Sequence, residues 1–144
     1  ILSFQEVNDL SVNKTAKLIP RITDAEYRDK YVESLSYYQI AEWDSSLEGF
    51  TYLIQADRKH ELADNSQYWI GEVYYALTDY IRSIKEFEKV DSFQGSNKSD
   101  DAKFKIGLCY INLDQIDMAR NEFKQLIEYY PNSEYYKRAQ DYLR

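Results

Sequence analysis

At 144 residues with 44% hydrophobic side chains, the chain is one ordinary domain, long enough to bury a core without covalent staples. A net charge of −7 with no basic run argues against nucleic acid and anionic membrane surfaces, because both demand clustered Lys and Arg. The lone Cys109 leaves no internal disulfide, and no apolar run approaches the ~20 residues of a membrane helix.

Residues 1–22 read as a lead-in or linker: Ile1, Leu2, Phe4, Val7, Leu10 and Val12 fit neither helical nor strand spacing, and Pro20 stops any helix begun at Lys14. With no Met at its start, the chain reads as a piece of something longer, its targeting information removed. Thr23 followed by Glu26 has capping-box spacing and opens the repeat region, residues 23–144. Tyr27, Tyr31, Ser34, Leu35 and Tyr38 then recur at helical spacing to Ile40. A turn at Ala41-Glu42 leads into a second helix holding Trp43, Leu47, Phe50, Leu53 and Ile54, which makes a helical hairpin. Residues 55–64 are polar and form a connection.

The next helix is expected from about Asn65 to Leu77, and Asp79 is placed to cap its partner, which carries Tyr80, Ile84, Phe87 and Val90. Asp91 to Asp100, with Gly95 and three serines, reads as loop. The third hairpin runs from Ala102 to Leu113, turns at Asp114-Gln115, and continues through Ile116, Ala119, Phe123, Leu126 and Ile127 until Tyr130-Pro131 ends it. Ser133–Arg144 reads as a last, capping helix.

The hairpins align at intervals of 37 and 36 residues. Ser34, Gly71 and Gly107 coincide; so do Tyr37, Tyr74 and Tyr110; so do Ser46, Ser83 and Ala119; and so do Phe50, Phe87 and Phe123. Small residues let the helices of a hairpin approach closely, and each Phe fills the space toward the next hairpin. No hairpin buries its apolar face alone, so the units stack. The expected fold is all-α: an α-solenoid of three hairpins over about 27–56, 64–92 and 100–131, with the capping helix over 133–144.

This pattern resembles tetratricopeptide repeats, whose period is slightly shorter. NSQYWIGEVYYAL (65–77) and the run from Asp100 to Leu143 further resemble the C-terminal repeat domain of the periplasmic Tol-Pal-associated protein family (YbgF/CpoB type). The resemblance rests on Tyr68, Trp69, Ile70, Gly71 and Glu72, on Ala102, Lys105 and Gly107, and on Tyr130, Pro131, Ser133 and Ala139. It implies a periplasmic, cell-envelope adaptor that contacts Tol-Pal components and helps coordinate cell-wall synthesis during division. The family's Tyr-Pro turn is absent after the first two repeats, and its coiled coil is not evident in residues 1–22.

In such a stack the first helices line the concave side, where a partner helix or peptide can lie. The groove-facing positions are Arg28, Tyr31, Leu35 and Tyr38, then Asn65, Tyr68, Glu72 and Tyr75, then Asp101, Phe104, Leu108 and Ile111. Taken singly, each aromatic also fits the core; Trp69, Ile70 and Tyr74 are assigned there. Glu72 is the carboxylate placed to accept from a partner's basic residue. Lys and Asn are missing from the groove positions where some tetratricopeptide domains grip a C-terminal carboxylate, so that mode is not expected. The alternative occupant is the chain itself, residues 1–22 or another copy in a homo-oligomer. No catalytic or metal-binding constellation appears: His60 is the sole histidine, read as a solvated loop residue, and no cofactor is implied.

Overall fold

The computed structural model describes residues 21–144; the lead-in expected over 1–22 lies, but for its last two residues, outside the described ones. Seven α-helices follow in order among the described residues: α1 (Asp24–Gln39), α2 (Trp43–Ala56), α3 (Ala63–Ala76), α4 (Tyr80–Glu88), α5 (Ser99–Asn112), α6 (Ile116–Tyr129) and α7 (Tyr136–Tyr142). Each helix packs on the next, so α1/α2, α3/α4 and α5/α6 form three hairpins, and α7 lies on α6. This is the expected all-α solenoid.

The local signals act where the sequence places them. Thr23 Oγ1 accepts the Glu26 N–H, and the Glu26 carboxylate takes the Thr23 N–H, closing the capping box on α1. Asp79 caps α4 by accepting the Arg82 N–H. Ala41, Thr78 and Asp114 each turn a hairpin in the left-handed region, with φ of 60°, 58° and 56°. These three positions share the repeat interval and none is glycine.

The small residues explain the close packing, with one rearrangement. A Cβ on Gly71 would lie 2.6 Å from the Phe87 ring, and one on Gly107 would lie 2.5 Å from that of Phe123. The phenylalanines therefore fill their own hairpins first. In the first hairpin the roles are exchanged: Ser34 occupies the glycine position, and Gly49 on α2 makes room for it, its Cβ site 2.0 Å from Ser34 Oγ. The aligned serines also bond across the first two hairpins, since Ser46 Oγ donates to the Ser34 carbonyl at 3.0 Å and Ser83 Oγ to that of Gly71 at 2.9 Å.

The connections differ from expectation. α2 continues to Ala56 and α3 begins at Ala63, so the first connection is shorter than 55–64. Within the segment read as loop over 91–100, a 3-10 turn (Lys89–Ser92) precedes Phe93, which is buried, and α5 already begins at Ser99. The last helix is only Tyr136–Tyr142, because the Ser133 hydroxyl accepts the Tyr135 N–H and donates to Asp100 Oδ2, holding residues 133–135 in a turn. His60 is not solvated. Its side chain is 9% exposed and stacked 3.7 Å from the Tyr27 ring, with Nδ1 accepting the Leu62 N–H and Nε2 2.8 Å from Asp24 Oδ1.

Candidate functional site

The first helices α1, α3 and α5 run side by side, and side chains one repeat apart meet across them. Trp69 of α3 reaches back to α1: its indole N–H donates to the Tyr31 hydroxyl at 3.0 Å, and its ring meets that of Tyr38 edge-on at 5.0 Å. Lys105, at the equivalent position of α5, reaches back to α3, 3.2 Å from Glu72 and 3.9 Å from the centre of the Tyr75 ring. Assigned to the core by sequence, Trp69 is half-buried and spans the surface between stripes; Ile70 is core, and Tyr74 is half-buried.

The twelve stripe residues are thus brought together along three neighbouring helices, with unequal access. Tyr31, Leu35, Tyr38, Asn65, Tyr68, Tyr75, Asp101, Leu108 and Ile111 are half-buried. Arg28 is exposed and bridges Asp24 and Glu61. Phe104 is 1% exposed, stacked on Tyr135 at 4.7 Å and packed on Phe123, so it is core and not an accessible anchor. Glu72 is 8% exposed and already faces Lys105, an ion pair without an aligned hydrogen bond at Oε1; the partner cation expected for it is supplied by the chain. Asp101 accepts from the Tyr135 hydroxyl at 2.9 Å.

Burial, and next the charge of Glu72, push the Tyr68 hydroxyl far above the ordinary tyrosine range; Tyr38 is raised by the same two causes. Both therefore act as neutral hydroxyls. Burial raises Tyr75 and Tyr31 too, partly offset by hydrogen bonds from Asn112 and Trp69. Burial also lifts the Asp101 carboxyl, against the hydrogen bond from Tyr135. The accessible stripe is an aromatic and aliphatic surface with one internally balanced ion pair.

Residues 101–133, from α5 to the turn after α6, match the model of the tetratricopeptide repeat family. Solved structures extend the likeness along the chain. The Yersinia enterocolitica type III secretion chaperone SycD, in complex with a peptide of the translocator YopD, superposes with a TM-score of 0.71 at 16% identity, over 86% of this chain and 94% of that one. The fold is that of a tetratricopeptide-repeat (TPR) domain. PcrH from Pseudomonas aeruginosa gives a TM-score of 0.71 at 15% identity, over 88% of this chain and 95% of that one. The second TPR domain of human RPAP3, in complex with the HSP70 peptide SGPTIEEVD, gives 0.60 at 16% identity, over 81% and 94%. No curated protein matches the chain.

Sequence spacing along one helix picked out the stripe residues, but it gave no part in the stripe to Trp43, Trp69 and Lys105. Trp69 and Lys105 signal themselves only in the alignment, where both stand at the position that Val32 occupies in α1.

Proposed function

We propose that this chain is a non-enzymatic protein-interaction module that holds a peptide or partner helix along the α1–α3–α5 stripe. The observation that carries the reading is the run of half-buried Tyr31, Leu35, Tyr38, Tyr68 and Tyr75, side chains that offer large contact area at little further ordering cost. Neighbours of the same fold, SycD and RPAP3, are seen with peptides. The narrower reading is a periplasmic adaptor of the Tol-Pal type, acting in cell-wall synthesis during division. It rests on the resemblance of residues 65–77 and 100–143.

The test is selection of a random 12-residue displayed peptide library against the chain, with recovered peptides mapped by NMR. Shifts centred on Leu35, Tyr38, Trp69 and Tyr75 are expected, and Tyr75→Ala should weaken binding roughly tenfold while circular dichroism stays helical. Recovery of no peptide, or shifts confined to α2, α4 and α6, would overturn the reading. For the narrower role the measurement is direct binding to purified Tol-Pal components, and its absence leaves only the general module.

A further inference from the structure

The chain places its own cations over aromatic rings at six points among the described residues, three of them on the stripe side: Lys98 over Tyr68, Lys105 over Tyr75, and Arg138 over Phe104. The pattern stops at the first repeat. Tyr38 is the repeat equivalent of Tyr75, yet the residue reaching back to it is Trp69 where the next repeat has Lys105. Trp43, the first residue of α2, also meets Tyr38 edge-on, at 5.3 Å. All three rings are half-buried, and no Lys or Arg among the described residues lies over any of them. The charge of Glu72 is felt at the Tyr38 hydroxyl, and the whole chain carries −7.

We infer that the Tyr38–Trp43–Trp69 cluster is a subsite for a cationic side chain, Lys or Arg, on the peptide held in the groove. The inference rests on the groove reading and adds the partner's chemistry to it. An electron-rich ring face attracts a cation within about 6 Å of its centre, most strongly at Trp and where water is thinned out. An acidic side chain at this place would meet ring faces of the same sign.

The peptides recovered from the 12-residue library carry the test. Lys and Arg should exceed their frequency in the unselected library, and changing the enriched cation to Gln should weaken binding about three- to thirtyfold. Tyr38→Leu, which stays apolar but removes the ring, should abolish that Lys-or-Arg preference, so that the Arg and Gln forms of a peptide bind alike. Trp43 and Trp69 are the only tryptophans in the chain, so binding at the cluster changes intrinsic fluorescence directly. Peptides without cation enrichment, or with equal affinity for Arg and Gln forms, overturn the subsite and leave the groove standing. A preference that survives Tyr38→Leu in a helical, folded variant also overturns it. Recovery of no peptide removes the groove and the subsite together.

Discussion

Gly49 and Ser34 show how one glycine can move across a hairpin without loss of the packing it permits. In the second and third hairpins the first helix supplies the space and a phenylalanine takes it; in the first, α2 supplies the space and Ser34 takes it. Gly49→Ala puts a methyl group 2.0 Å from Ser34 Oγ, so it should cost about 1–3 kcal/mol despite alanine's better helix propensity. In the Ser34→Gly background the obstruction is gone, and one helical Gly has been exchanged for another. The double variant should therefore lie within about 1 kcal/mol of the parent in urea denaturation. A simple sum of the two single effects would refute the packing account. The aligned small residues were readable in the sequence at Ser34, Gly71 and Gly107. The exchange was not, because Gly49 aligns with Glu86 and Glu122 and looks like an exposed position until the two helices are placed face to face.

The hairpin turns and the repeat junctions obey different rules. Ala41, Thr78 and Asp114 all sit at positive φ, where a Cβ crowds the backbone and costs a non-glycine residue ~1–2 kcal/mol. Asp tolerates this region better than a β-branched residue. Thr78→Gly is expected to raise stability by up to about 1 kcal/mol, after the extra unfolded-state entropy of glycine is deducted, and by more than Asp114→Gly does. Equal or negative changes in the urea midpoint would count against strain at Thr78. At the junctions, His60, Ser96 and Ser133 recur at the repeat interval. Each accepts the N–H two residues on and bonds an aspartate near the start of a preceding first helix: Asp24, Asp64 and Asp100. Helix existence was legible from spacing and caps, whereas this bonding was hidden by the change from His to Ser. An imidazole reaches one turn further, so its acceptor falls at Asp24, off the register of the other two.

At the scale of the whole stack, the same surface positions change character with their place in the series. Where α3 and α5 bury Ile70 and Ile106, Val73 and Cys109 against the preceding hairpin, α1 carries Glu33 and Ser36, both exposed. Among the described residues the first hairpin therefore presents polar side chains where later hairpins bury apolar ones, and at the other end α7 lies over Phe104. Fifteen residues are tyrosine and some of them are buried or half-buried, which predicts a particular weakness. Tyr27 is fully buried, and burial raises its hydroxyl to about 12. Burial likewise raises Tyr68 and Tyr135 well above the ordinary value of 10. In each case the native state keeps a proton that the unfolded chain gives up near pH 10, so the stabilising contribution is whole below pH 10 and declines as pH climbs toward the folded value. From Tyr27 alone the loss by pH 12 is on the order of 2–3 kcal/mol, a large part of a small domain's stability. Alkaline unfolding between pH 10 and 12 is expected, with tyrosinate absorbance at 295 nm rising in two stages. The first stage leaves the helices intact, and in the second Tyr27, Tyr68 and Tyr135 ionise together with the loss of helical circular dichroism. A single smooth titration of all tyrosines with the helices intact at pH 12 would show that burial does not hold these protons.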